Sequence, residues 1–107
     1  MNQKPIPQLG AVMALAQLLQ EFPDLPTATW SIDQYTGDLS GYLHDAGMSD
    51  LDAYAQTLGG AVRPGRDYVY QGQLVRPHRL SAKWRDVEVT VAVVLPAPVP
   101  VSLERAA

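Results

Sequence analysis

The sequence predicts an α+β fold, a two-layer sandwich of order α-β-β-α-β-β-β with two helices on one face of an antiparallel sheet. Three observations lead there. Two segments space their apolar residues as helices do, and the segments after each of them alternate apolar and polar at period two. At 107 residues the chain has room for one core and not for two. A permuted ferredoxin-like sandwich shares this order of elements. The expected division is a single domain over residues 1–95 and a proline-rich tail over 96–107, where Pro96, Pro98 and Pro100 interrupt any regular element.

Pro5-Ile6-Pro7 leads into the first helix, since a proline in the first turn lacks only an N–H that would be unpaired there anyway. Leu9, Val12, Met13, Ala16 and Leu19 follow the i, i+3, i+4, i+7 spacing of a buried face. Leu15, Leu18 and Phe22 widen that face until only Gly10, Ala14, Gln17 and Glu21 are left as a non-apolar strip. So broad an apolar surface needs covering, by the protein's own sheet or by a partner, and Leu15, Leu18 and Phe22 are the candidate partner-binding residues. Pro23 and Pro26 end the helix.

Residues 27–33 then alternate, with Ala28, Trp30 and Ile32 on one side. A second alternating run carries Leu39, Gly41 and Leu43. Facing Asp33 with Asp38 sets Ser31 opposite Ser40, Trp30 opposite Gly41 and Thr29 opposite Tyr42, and every apolar residue falls on one face. Trp30 over a glycine fills the space a missing side chain leaves. The Asp33–Asp38 pair is the weak point of this register, because like charges facing each other repel.

The second helix begins near Met48-Ser49-Asp50-Leu51-Asp52, with Ser49 as the expected N-cap and acidic groups in the positive first turn. Leu51, Tyr54, Ala55 and Leu58 form its buried stripe, and Gly59-Gly60 its exit. The rest reads as a meander. A turn at Gln71-Gly72 sets Val69 opposite Leu74 and Asp67 opposite Arg76. A turn at Arg85-Asp86 sets Trp84 opposite Val87, Lys83 opposite Glu88, Ser81 opposite Thr90 and Leu80 opposite Val91. Pro77 cannot donate to a ladder and marks an edge or bulge. Val87–Leu95 turns apolar on both faces, as an interior strand does.

Composition narrows the function. Apolar residues make up 47% and charged residues 18%, a globular balance. No apolar run approaches the ~20 residues of a membrane span. The absence of cysteine excludes disulfides and thiol chemistry and agrees with an expected cytoplasmic location. The net charge of −3 hides a division: residues 1–60 carry one basic group against seven acidic ones, and residues 61–107 carry seven basic against four acidic. Such asymmetry suits an acidic partner, and equally a self-complementary fold or dimer.

Chemistry-bearing residues are sparse. His44 is followed by Asp45, but neighbours on a strand point apart and no nucleophile is in view. A deep pocket joining Asp33, Tyr42 and His44 would be needed for an enzyme. Asp45, Asp50 and Asp52 lack the spacing, glycine and closing glutamate of a calcium loop. Gly59-Gly60 with Arg63-Pro-Gly-Arg66 could present N–H groups to a phosphate, yet it matches no nucleotide fingerprint, and the glycines already have a role ending a helix. The expectation is therefore no catalytic residues, no metal and no cofactor. The basic stretch from Arg63 to Arg85, interleaved with Tyr68, Tyr70, His78 and Trp84, is the nucleic-acid candidate. Because Arg76 and Lys83 have acidic cross-strand partners, Arg63, Arg66, Arg79 and Arg85 are the residues left for phosphates.

The Ala/Val/Leu/Pro/Arg-rich vocabulary, Phe22-Pro-Asp-Leu-Pro26, the Trp30 strand and the closing Trp84…Val87-Glu-Val-Thr-Val91…Leu95-Pro96 resemble small actinobacterial (Streptomyces-type) proteins of chromosomes, plasmids and phages. The resemblance covers most of the chain through packing motifs. It implies a small accessory factor, from a mobile element in that reading, and carries over no catalytic residue. The function expected is a non-enzymatic binding or adaptor domain working through protein contacts, with an unknown protein or a second copy as partner. Nucleic-acid binding is the alternative.

Overall fold

Strand alternation decides which side chains the helices can cover. In the computed structural model, which describes residues 7–98, the elements are α1 (Pro7–Glu21), β1 (Thr29–Ile32), β2 (Leu39–Leu43), α2 (Met48–Leu58), β3 (Ala61–Pro64), β4 (Tyr68–Tyr70), β5 (Gln73–Trp84) and β6 (Val87–Pro96). The expected two-layer α+β sandwich is present. Leu39, Leu43, Leu80, Val89, Val91 and Val93 form the inner sheet face and are essentially inaccessible, as are Leu51 and Tyr54 of α2 against them. Trp30, Ile32, Val62, Ala82 and Trp84 extend this core to the sheet margins. Each fully buried aliphatic side chain is worth about 1.5–3 kcal/mol, so the core is carried by a few β-branched and leucine residues from three strands and one helix.

The sheet runs β1-β2-β6-β5-β3, with β4 also paired to β5. One join differs from the expected antiparallel sheet: β2 and β6 are parallel, with Gly41 level with Val91 and Leu43 with Val93. A permuted ferredoxin-like sheet would be antiparallel throughout. The placement of β6 between β2 and β5 explains its apolar residues on both faces. The meander also has one strand more than expected. Residues 61–64, the region read as a glycine-arginine loop, pair with 78–81 of β5 as β3.

The hairpin registers agree with the sequence. Thr29 faces Tyr42, Trp30 faces Gly41 and Ser31 faces Ser40. Val69 faces Leu74, and β5–β6 pairs Leu80 with Val91, Ser81 with Thr90, Lys83 with Glu88 and Trp84 with Val87. Both tight turns use left-handed backbone, at Gln71-Gly72 (φ 51 and 77) and at Arg85-Asp86 (φ 51 and 65), which matches the twist of the flanking strands. Pro77 sits where β4 has ended and β3 begins. Its carbonyl accepts from Gly65 N at 2.7 Å, so its amide side points to that gap and no bond to β6 is lost.

Three local expectations change. The Asp33 carboxylate does not confront Asp38; it turns back to accept from the N–H groups of Tyr35 (2.8 Å) and Thr36 (2.9 Å), capping the loop. The N-cap of α2 is Gly47 rather than Ser49, because Asp50 Oδ2 accepts from Gly47 N at 2.9 Å and thereby fixes where the helix starts. The ordered chain also continues past the expected tail boundary: Pro96 pairs with Val75, and buried Ala97 donates to Leu74 O at 3.0 Å. The remainder of that tail, 99–107, lies outside the described residues.

Candidate functional site

Helix α1 presents a different face to the sheet from the one its spacing predicts. Ala11, Ala14 and Leu18 are buried, while Leu9 (56%), Val12 (50%), Met13 (57%) and Leu19 (48%) stand in solvent. The reason is steric and polar together. Small Ala11 and Ala14 let the helix backbone approach the sheet, close enough for Trp84 Nε1–H to donate to Ala14 O at 2.9 Å. Phe22 meets the Trp84 ring edge-on, with centroids 5.8 Å apart. At the other end Gln8 Nε2 donates to Ile32 O at 3.3 Å. The candidate partner-binding residues are thus corrected: Leu18 is wholly inside, and Leu15 and Phe22 are half-buried against the domain itself. The outward stripe of Leu9, Val12, Met13 and Leu19 takes their place as the exposed apolar surface.

The basic segment divides in a similar way. Arg85 is not free, since it pairs with Glu21 at 2.5 Å and lies over the Trp84 ring, 4.8 Å from its centroid. Arg76 forks onto Asp67 at 2.6 and 3.1 Å. That hydrogen bond, and then the guanidinium charge, hold the Asp67 carboxyl below the usual carboxylate range and push Arg76 higher still. Lys83 and Glu88 approach to 3.4 Å across strands. Arg63 and Arg79 sit directly opposite one another on β3 and β5, both exposed, and among the described residues neither has a carboxylate partner. Arg66, exposed in the β3–β4 link, also makes no ion pair among the described residues.

The sheet face away from the helices collects residues that sequence reading left scattered. Register places Thr29, Ser31, Ser40, Tyr42, Thr90 and Ser81 on it, and with Arg79 they line a shallow concavity. Tyr42 also lines a second, larger one of about 720 Å³, where Tyr68 and Tyr70 of β4, His44 and Val75 converge. Tyr42 therefore belongs to the lining of both concavities. Tyr42 and His44 stack edge to face at 4.5 Å, and His44 Nε2 lies 3.0 Å from Thr29 Oγ1. The signal for this convergence was present in the parity of Tyr42, Tyr68 and Tyr70, all on outward positions of their strands, and of His44 one residue past the end of β2, but joining them needs the sheet order.

The arrangement does not assemble the acid–base set considered from sequence. Tyr42 and His44 share the larger concavity, whereas Asp33 is held in its turn, where backbone N–H bonds from Thr36 and Tyr35 lower its pKa. Asp50 is engaged as a helix cap, and among the described residues no three His, Asp or Glu side chains gather as a metal site would require. Tyr54 donates its hydroxyl to Pro26 O and sits edge-on to Trp30 at 6.0 Å, with burial pushing its pKa up, so it ties the α1–β1 link to α2. Among the described residues no helix is long and apolar enough to cross a membrane.

No family model, curated protein or solved structure matches this chain. The functional reading therefore rests on its own surfaces.

Proposed function

We propose that this protein is a non-enzymatic, cytoplasmic binding domain that acts through protein contacts made by the outward stripe of α1, with a second copy as its partner. The observation that supports it is the half-exposure of Leu9, Val12, Met13 and Leu19 at i, i+3, i+4 and i+10 on one helix. Single exposed apolar residues need no explanation, but a continuous stripe does. The stripe carries no charge: Glu21, the one charged residue of α1, is turned to Arg85. Two copies crossing antiparallel would place apolar on apolar around a two-fold axis with no charge left unpaired, which a charged partner surface would not do. A 15-residue helix is about 22 Å long, so the contact belongs to the weak, concentration-dependent class. The actinobacterial resemblance adds the reading of an accessory factor from a mobile element.

Sedimentation velocity across the micromolar range tests this. The expected result is a concentration-dependent monomer–dimer exchange, shifted to monomer by Met13→Glu and by Val12→Lys, both exposed enough to leave the fold intact. A chain that remains monomeric up to several hundred micromolar, or a dimer indifferent to both substitutions, ends the reading.

A further inference from the structure

The geometry points to a second working surface, the open sheet face, as a binding site for single-stranded nucleic acid, with phosphate held at the Arg63–Arg79 pair and bases laid against Tyr42, Tyr68 and Tyr70. Residues directly opposite on antiparallel strands have Cβ atoms about 4.5–5.5 Å apart, and like charges there work against the sheet. Arg63 and Arg79 occupy such a pair with no carboxylate partner among the described residues, although every other strand-borne cation of the meander has one. An anion between two guanidiniums would turn this repulsion into two charge-assisted contacts. Around Arg79 the lining is hydroxyl-bearing and free of acid: Ser31, Ser40, Ser81, Thr90 and Thr29 supply small neutral donors and acceptors suited to a sugar–phosphate backbone.

Tyr42 lines both this concavity and the aromatic one, where Tyr68 (43% exposed) and Tyr70 (57% exposed) offer rings to solvent rather than to the core. Base stacking on exposed rings is tolerant of sequence. Asp45 lines the aromatic end and disfavours phosphate there, so the charges alone assign the backbone to the arginine end and the bases to the other. Arg66 and Arg85, counted with the arginines from sequence, belong neither to the opposed pair nor to the lining of the two concavities. Arg66 lies on the β3–β4 link and Arg85 belongs to the α1 contact.

Fluorescence anisotropy with labelled oligo(dT) and oligo(rU) of about 12 nucleotides provides the test. Saturable binding is expected at about 50 mM salt, weakening steeply towards about 200 mM. Arg63→Ala and Arg79→Ala should each weaken binding and lower the salt slope by about one, while leaving thermal stability unchanged or raised, because each relieves the like-charge pair. Tyr70→Ala should weaken binding about fivefold or more with the salt slope intact. Lys83→Ala, which removes a cation already partnered by Glu88, should change little. Met13→Glu should bind as the unaltered protein does, which separates this proposal from self-association through α1. No binding at low salt overturns it. So does binding indifferent to Arg79→Ala and Tyr70→Ala, a preference for duplex over single strand, or inorganic polyphosphate competing as well as the oligonucleotides, which would leave an anion site without base contacts.

Discussion

Trp84 donates its indole N–H to the backbone carbonyl of Ala14, 70 residues away in the chain, at 2.9 Å. A residue at the end of the β5–β6 hairpin thus holds the middle of α1, and Phe22 and Arg85 close around the same ring. Beyond this cluster α1 has few anchors, since four of its six large apolar side chains face away from the sheet. Trp84→Phe keeps a ring in place and removes the bond, at a net cost of about 1 kcal/mol. The loss should appear first in α1. Native-state hydrogen exchange is expected to show α1 amides losing more protection than those of α2, and equal losses in the two helices would refute the idea that this bond is the anchor.

Gly41 is where Trp30 lies. A Cβ built on Gly41 would meet Trp30 Cζ3 at 2.7 Å, inside any tolerated contact. The neighbouring strand holds Gly41 level with Val91 of the central β6, so the backbone cannot simply withdraw. Gly41→Ala is therefore expected to cost about 1–3 kcal/mol by overpacking. In a Trp30→Ala background the same change should cost much less, because the obstructing ring has gone. Urea unfolding of the four proteins measures this coupling, and purely additive costs would show that the two residues do not contend for one space.

Much of this fold was legible because strand chemistry is local. Period-two alternation and short turns determine three hairpin registers residue by residue, and each agrees with the structure. Helix α1 was not legible in the same way. Leu9, Val12, Met13, Ala16 and Leu19 form a sound helical face by spacing, and so do Ala11, Ala14, Leu15 and Leu18. Spacing cannot choose between two apolar faces; the choice is made by how closely alanines let a helix approach and by where Trp84 finds an acceptor, both tertiary facts. Strand β3 was hidden by Pro64-Gly65, which reads as a loop but closes a four-residue edge strand. The aromatic end of the open face was hidden for another reason. Its residues come from β2 and β4, which share no hydrogen-bonded edge and meet only because β6 and β5 lie between them.

Acid should weaken the protein through two carboxyls in particular. Backbone N–H bonds from Thr36 and Tyr35 lower the pKa of Asp33, and the Arg76 hydrogen bond, followed by its charge, lowers that of Asp67. In the unfolded chain both groups return to about 3.9. As pH falls, the unfolded chain therefore takes up these protons first. The stabilisation is complete above the unfolded value and is lost as pH drops through it towards the lower folded values. Urea midpoints should accordingly hold steady from neutrality to about pH 5 and decline below about pH 4. Asp33→Ala combined with Asp67→Ala should lower the midpoint at pH 7 and flatten the decline, because the groups responsible are gone. A double variant whose midpoint falls as steeply in acid as the unaltered protein's would place the acid sensitivity elsewhere in the chain.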